Sequence, residues 1–510
     1  MIDNKLFGTN GVRGIANKTM TAETSLKLGS SLGTYLHNQH NDALDMVAAV
    51  RPSPVISTHE VCSAETTRNW RNDAPDMVAA VRPSPVISTH EVCRHHDAPD
   101  MIAVARDTRI SGRMLKSAAV SGVLSAGCSV VDVGIVPIPA LQYYVRDHAD
   151  AGIMITASHN PREYNGLKLI AGDGTEFSRE DEAKIEEIYY GKEFYFADWS
   201  MTGNLRYDAS VAERYMQGII DAVDAERIKR AKLKVVVDTG CGAGSVVTPF
   251  LLQRLGCEVI SLNAQPDGTF PSRNPEPTED ALYELIELVK ATKADIGIAH
   301  DGDADRVALV DENGNFVSEE VLLAMMADHI LRSNKGTVVT PVSSSLRILD
   351  VVESHGCKLV WTAVGSINVA RKMRETGAVF GGEGNGGLIF PELQYCRDGA
   401  MSAVKILEII SGGAKLSDIV KECPEYYNMK TKIAIKDSKK VMSGVAYQLK
   451  GEKLDTTDGL KVWYNDGWTL IRPSGTEPII RIYSESKSRK RAEEMLTYFE
   501  ELVNEINISQ

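Results

Sequence analysis

Long apolar runs are missing from this sequence, and aromatic residues make up only 6% of its 510 positions. The most apolar stretch, Val123 to Leu141, contains Asp132, Pro137 and Pro139, so it reads as core strand and loop rather than a membrane span. The opening Met-Ile-Asp-Asn-Lys-Leu-Phe-Gly lacks the apolar core of a signal peptide. Cysteine is scattered: eight residues (62, 93, 128, 241, 257, 357, 396 and 423) form no C-x-x-C pair and no disulfide-like framework. They read as buried thiols in a reducing compartment, and the expected setting is cytoplasmic. Positive charge is also in short supply, with 56 Lys and Arg against 69 Asp and Glu, a net charge of −13. That balance argues against nucleic acid or an anionic membrane as partner. An anionic substrate would need a local cluster of arginines and backbone N–H groups.

The length exceeds what one hydrophobic core sustains, so several domains are expected. Apolar strand-like runs alternate with helical patterns over most of the chain, which defines an α/β protein. Val130–Gly134, Ile153–Ile155, Lys234–Asp238, Asp295–Ala299 and Val307–Val310 read as strands. Ala209–Val223, Thr278–Lys290 and Glu319–Leu331 read as helices with an apolar stripe, and a last helix spans about Ser488 to Asn504. Composition shifts divide the chain into residues 1–200, 201–310, 311–424 and 425–510.

One segment breaks the pattern. Residues 41–62 and 72–93 repeat each other, differing at Leu44 versus Pro75, and Asp97–Met101 begins a third copy. Two copies are too few for a solenoid, so 41–99 reads as a duplicated insertion in the first domain. The helical pattern ending near Leu36 then leads to a strand at Met101–Ala105. The Arg-Pro-Ser-Pro of each copy keeps it out of a central strand, at an edge or in a surface loop.

Six motifs carry chemistry. Thr156-Ala-Ser-His-Asn-Pro161 follows the apolar run Gly152–Ile155, which presents a serine at the open end of a sheet; alone, it is also what a capped loop looks like. Asn165-Gly-Leu-Lys168 follows closely, so a lysine can return to the same loop as a proton-transfer group. Asp301-Gly-Asp-Ala-Asp-Arg306 crowds three carboxylates into one turn, and such charges repel unless a cation neutralises them. Oxygen-only ligation suits Mg²⁺, and the rival reading is an EF-hand. Gly381-Gly-Glu-Gly-Asn-Gly-Gly387 lets backbone approach a ligand while Glu383 and Asn385 read hydroxyls; its plain alternative is a flexible hairpin. Arg472-Pro-Ser-Gly-Thr-Glu-Pro478 offers a guanidinium, hydroxyls and a relaxed backbone suited to phosphate. Phe7-Gly-Thr-Asn-Gly-Val-Arg-Gly14 delivers Arg13 on a glycine-flanked turn.

The order of these loops resembles the α-D-phosphohexomutase superfamily, which includes phosphoglucosamine mutase, phosphomannomutase and phosphoglucomutase. The resemblance covers about residues 5–40 and 100–505 and extends to Arg106-Asp-Thr-Arg109, Pro266-Asp-Gly-Thr-Phe-Pro271, Asn274-Pro-Glu-Pro277, Thr362-Ala-Val-Gly365 and Arg397-Asp-Gly399. It implies three similar mixed α/β domains followed by a smaller α+β C-terminal domain around a central cleft. It implies a phosphoserine at Ser158, which also contributes to a Mg²⁺ site completed by Asp301, Asp303 and Asp305. Lys168 would be the general base, Arg306 and Arg13 would support the transferring phosphoryl, and His159 would orient the serine loop. Glu383 and Asn385 would recognise sugar hydroxyls, and Arg472, Ser474, Gly475, Thr476 and Arg481 the non-transferred phosphate. The implied reaction interconverts hexose 6-phosphate and hexose 1-phosphate through a bound hexose 1,6-bisphosphate. The Glu-Gly-Asn-Gly-Gly pattern looks like the archaeal phosphoglucosamine mutase-like branch, so glucosamine phosphate is the expected substrate, with mannose or glucose phosphate as alternative. In Val237–Gly244, Cys241 stands where the family commonly has Asn. A silent sugar-phosphate-binding paralogue is opposed by the intact Ser158, Lys168 and aspartates, and a phosphatase by the separate sugar and phosphate loops.

Overall fold

Runs such as Lys-Val-Val-Val-Asp, β-branched and closed by charges, favour short buried strands over helices. In the computed structural model, which describes residues 6–8, 11–50, 100–474 and 478–508 (side chains of 42–50 apart), such runs build four sheets. The first contains β1 (Val12–Ile15), β2 (Met101–Arg106), β3 (Ser129–Ile135), β4 (Ala151–Ile155), β5 (Tyr164–Ala171) and β6 (Leu205–Tyr207), in the order β1-β5-β4-β2-β3-β6. The second contains β7 (Lys234–Asp238), β8 (Glu258–Leu262), β9 (Ile296–His300), β10 (Val307–Val310) and β11 (Phe316–Val317), in the order β11-β10-β9-β7-β8. The third contains β12 (Thr337–Pro341), β13 (Lys358–Thr362), β14 (Phe380–Glu383) and β15 (Gly387–Ile389), in the order β13-β12-β14-β15. Each of these three has parallel central strands and an antiparallel pair at one side: β4 with β5, β9 with β10, β14 with β15. The fourth is wholly antiparallel, β16 (Tyr427–Ala434), β17 (Leu454–Asp455), β18 (Leu460–Tyr464), β19 (Gly467–Pro473) and β20 (Ile479–Ser486), covered by the helix Arg489–Ile508.

The antiparallel returns matter for function. A strand that enters parallel and leaves by a tight turn puts that turn at the sheet's carboxyl end. The Ser158 turn lies between β4 and β5, the aspartate turn between β9 and β10, and the Glu383 turn between β14 and β15.

One apolar cluster runs through the first three sheets, from Ala103 to Leu416, so their helices and strands share a continuous core. The fourth sheet has its own core around Ile433, Val462, Ile482 and Phe499. It meets the third at a small cluster of Val342, Trp468 and Leu470. There Lys461, 1% exposed, donates to the Val342 carbonyl at 2.6 Å. Its Nζ lies 4.9, 4.1 and 3.9 Å from the ring centroids of Trp361, Trp463 and Trp468. Aromatic faces attract a cation, yet burial prevails over the pull of Glu485, Asp455 and Glu320 and lowers the Lys461 pKa from 10.5 to about 7, so the amine is only partly charged near neutral pH.

Several expectations need adjustment. The first helix, Ala22–Val50, runs past Leu36 into the first repeat copy, so residues 41–50 are helix rather than loop or edge strand. The rest of the repeat lies outside the described residues. β6 pairs with β3, so the first sheet extends beyond the boundary expected at residue 200. The helix expected at Thr278–Lys290 opens as a 3-10 turn, Glu279–Leu282, before the α-helix Tyr283–Thr292. Among the described residues no helix is long and apolar enough to cross a membrane.

Candidate active site

Ser158 leaves β4 in the left-handed region, with φ +51°, and is fully buried. Its N–H donates to Thr156 Oγ1 at 2.8 Å, closing the turn. Its hydroxyl donates to Asp301 Oδ2 at 2.8 Å, which joins the serine turn of the first sheet to the aspartate turn of the second. Gly302 makes this approach possible: a Cβ there would stand 2.6 Å from the Ser158 carbonyl oxygen.

Asp301, Asp303 and Asp305 are buried, and a ligand atom from each lies within 4.8 Å of the others. Asp303 Oδ1 and Asp305 Oδ1 are buried without a hydrogen-bond partner. A buried carboxylate oxygen left so is costly unless a cation takes it. An all-oxygen set of this kind fits a hard divalent ion such as Mg²⁺. Burial, with Asp303 and Asp305 as neighbours, pushes the Asp301 carboxyl well above its ordinary range.

Lys168 on β5 reaches the same carboxylates, with Nζ 2.9 Å from Asp303 Oδ2 and 3.4 Å from Asp305 Oδ2. Burial opposes its charge, but Asp303 and Asp305 outweigh burial and raise its pKa. His159 Nδ1 stands 3.4 Å from the serine hydroxyl. Burial, reinforced by Arg306 and Arg13, lowers the imidazole far below its ordinary value, so it is neutral. Arg13 Nη1 donates to Asn160 Oδ1 at 2.8 Å and to the Ala157 carbonyl at 3.3 Å. Arg306 Nε lies 3.8 Å from Asp305 Oδ1, and its Nη1 lies 3.8 Å from Glu276 Oε1.

Glu383, 5% exposed, is joined to this cluster by a residue to which its motif gave no role. Arg397 donates from Nη1 to Glu383 Oε2 at 2.8 Å and from Nη2 to Asp305 Oδ2 at 2.5 Å. Burial works against the Asp305 charge, yet Arg397, Lys168 and Arg306 together hold that carboxyl well below its ordinary range. Asn385 Oδ1 accepts from Gly387 N at 3.1 Å, within its own turn.

Of the residues expected to hold phosphate, Arg472 and Arg481 stand on the fourth sheet. Arg472 and Arg481 face each other across β19 and β20. Arg472 Nη2 lies 3.1 Å from Asp458 Oδ2, which also accepts from Val364 N of the Thr362–Gly365 loop at 2.9 Å. Ser474 N donates to the Ile479 carbonyl at 2.9 Å. Gly475 and Thr476 lie outside the described residues.

Three mixed sheets aim reactive turns at one another, and an antiparallel fourth domain carries paired arginines. The descriptions of phosphoglucomutase/phosphomannomutase α/β/α domains I, II and III match residues 4–48 with 81–196, 213–314 and 318–427, and that of the C-terminal domain matches 426–502. The chain belongs to this phosphohexomutase family. Among similar proteins, a phosphoglucomutase/phosphomannomutase of Thermococcus kodakarensis is 43% identical over 498 residues, 96% of this chain and 97% of the relative. A "Probable phosphoglucosamine mutase" of Methanococcoides burtonii is 37% identical over 505 residues, 98% of this chain and 99% of the relative. A solved phosphoglucomutase/phosphomannomutase family protein of Burkholderia thailandensis superposes with a TM-score of 0.78 at 25% identity, covering 99% of this chain and 98% of that one.

Proposed function

We propose that the chain interconverts glucosamine 6-phosphate and glucosamine 1-phosphate, with Ser158 as phosphoryl carrier and a hexose 1,6-bisphosphate as bound intermediate. The observation that carries this reading is the Ser158 hydroxyl resting 2.8 Å from Asp301 Oδ2, beside two carboxylate oxygens without hydrogen-bond partners. Asp301, Asp303 and Asp305, with the phosphate on Ser158, would hold Mg²⁺. When bound, it would neutralise charge on the transferring phosphoryl, the main demand of this chemistry.

The chain's own groups supply the rest. Arg13 and Arg306 flank the serine turn and stabilise the phosphoryl oxygens. Lys168 accepts the sugar hydroxyl's proton, and it must be uncharged to do so. Its charge is held by Asp303 and Asp305, the carboxylates that would bind the ion. Neutral His159 orients the serine loop. Glu383, held by Arg397, reads sugar hydroxyls together with Asn385. Arg472 and Arg481, which face each other across two strands, would hold the non-transferred phosphate with Ser474, Gly475 and Thr476. Either end of the sugar can take that site, so the bisphosphate turns and returns its other phosphoryl to Ser158.

The domain division at about residues 200, 310 and 424 is supported by the ranges of the sheets, with β6 carrying the first domain to Tyr207. A reducing, cytoplasmic setting is supported by six described cysteines that stand as free thiols.

A preference for glucosamine is supported by the Glu383-Gly-Asn385 loop and by the name of the M. burtonii relative. The name of the T. kodakarensis relative favours mannose or glucose phosphate instead. Turnover of glucosamine, mannose and glucose 6-phosphates should be compared with Mg²⁺ and a catalytic amount of sugar bisphosphate. A highest kcat/KM for glucosamine 6-phosphate supports the proposal, and a higher value for either other sugar overturns it. Ser158→Ala should abolish turnover and remove a phosphate from the intact mass; retained activity would remove Ser158 from the mechanism.

A further inference from the structure

Arg109 is fully buried, and none of the roles above uses it. Its Nη2 donates to the carbonyls of Ser158 and Asn160, both at 2.7 Å. Its Nη1 donates to the carbonyls of Pro161 at 2.6 Å and Tyr164 at 2.9 Å. Its Nε donates to Asp107 Oδ2 at 3.0 Å. One guanidinium therefore gathers four carbonyls of the turn that carries Ser158. Carbonyls converging on one centre force the chain to curl, and Ser158 sits at φ +51°, where side-chain-bearing residues are seldom found.

The other polar group of the Ser158 backbone leads back to the same arginine. Thr156 Oγ1 accepts from Ser158 N and donates to Asp107 Oδ2 at 2.7 Å, the oxygen that anchors Arg109 Nε. Both the N–H and the C=O of Ser158 are thus tied to the Arg109–Asp107 pair. The second domain lies against this arrangement. Phe270 places its ring centroid 5.4 Å from the Arg109 guanidinium carbon. A Cβ on Gly268 would come within 2.8 Å of the Arg109 carbonyl carbon. Arg109 thereby lies between the serine turn and the domain that bears the aspartate turn.

We propose that Arg109 is a positioning residue for phosphoryl transfer: it fixes the curled backbone of Ser158 so that the hydroxyl meets the aspartate turn. This inference rests on Ser158 being the phosphoryl carrier. Lysine carries a single ammonium and cannot fork to four carbonyls, so Arg109→Lys keeps the charge and loses the geometry. A misplacement of about 1 Å can cost about 100-fold in rate.

The test is steady-state kinetics on full-length Arg109→Lys, normalised to the folded fraction, with Ser158→Ala alongside. The expected result is a kcat lower by about 100-fold with KM for sugar phosphate changed by less than about threefold, because the sugar and phosphate loops lie elsewhere. A 31P spectrum of the phosphorylated variant should show a shifted or broadened phosphoserine resonance. An unchanged kcat per folded molecule, or equal losses traced wholly to unfolding, overturns the proposal. A dead Ser158→Ala beside a normal Arg109→Lys defeats this inference alone, whereas an active Ser158→Ala defeats the carrier reading beneath it. If Arg109→Lys does not fold, Asp107→Asn decides, because it removes the anchor and leaves the guanidinium: a loss confined to kcat supports positioning, and an unchanged kcat overturns it.

Discussion

Lys168 and the would-be metal share the same carboxylates, the lysine on the Oδ2 atoms of Asp303 and Asp305 while their Oδ1 atoms lack a hydrogen-bond partner. With no ion counted, Asp303 and Asp305 are neutralised by Lys168 and Arg397 at 2.5 to 3.4 Å. Removing one partner of a buried ion pair costs about 3–5 kcal/mol, because the other charge stays behind. Lys168→Met should therefore lower the Tm of chelated protein by several degrees. Added Mg²⁺ should recover more Tm in the variant than in wild type, as calorimetry with and without chelator would record; equal recovery would separate the lysine from the metal site. Gly302→Ala tests the neighbouring contact. Its Cβ, 2.6 Å from the Ser158 carbonyl, should push the two turns apart. It should lower kcat about tenfold or more and raise the Mg²⁺ concentration for half-activity, measured by titrating Mg²⁺ into the assay. The serine and aspartate turns were legible from sequence as candidates, because three acids in six residues and a serine after an apolar strand are local patterns. Arg397 and Arg109 were visible only as parts of motifs. Their partners lie far off in sequence, Asp305 for one and Tyr164 for the other, and no spacing rule reaches that distance.

The helix Glu319–Ser333 opens with two carboxylic acids, Glu319 and Glu320, in its first turn. Half-buried there, Glu320 accepts from Ser345 N at 2.9 Å and lies so close to the turn after β14 that a Cβ on Gly384 would run into its carboxylate. Burial raises its pKa from 4.5 to about 8, with Glu485 and Glu319 adding to the shift and Ser345 N and Arg347 opposing it. A raised carboxyl gives full stability below its unfolded value and loses it as pH rises through the folded value. Wild type and Glu320→Gln should match in Tm near pH 4.5, and the variant should gain on wild type up to about pH 8. A Tm gap that is flat with pH would mean that Glu320 stays charged. Elements with a clear apolar period, such as Lys234–Asp238 and Val307–Val310, were read from sequence to the residue. β6 was not, because all three of its residues are exposed and no alternation marks it. The helix through residues 41–50 was also missed, since the prolines that follow suggested an earlier stop.

At the scale of the whole molecule, the four-domain plan was readable from the order of its loops, one reactive turn for each sheet. The shared core of the first three sheets was not, because apolar residues carry no label for the neighbour they will meet. The duplication also belongs at this scale. The family match stops at residue 48 and resumes at 81, so about one repeat length is surplus. Deleting residues 50–80 joins Ala49 to Val81 and leaves one intact copy. Loop length costs only about 0.6 kcal/mol per doubling, so kcat/KM should stay within about threefold of the parent and Tm should barely move. An insoluble or inactive deletion protein would make the second copy part of the fold.

The seam between the third and fourth sheets has an optical consequence. Three of the chain's five tryptophans, Trp361, Trp463 and Trp468, surround the Lys461 amine, one from the third sheet and two from the fourth. Indole emission responds to a nearby cation and to entering water, so the chain carries a built-in, label-free gauge of how the last domain sits. If that domain swings as the sugar turns, emission will follow each turnover in a stopped-flow trace, and Lys461→Met will flatten the trace by removing the amine that the indoles surround, an amine that burial leaves partly charged at neutral pH.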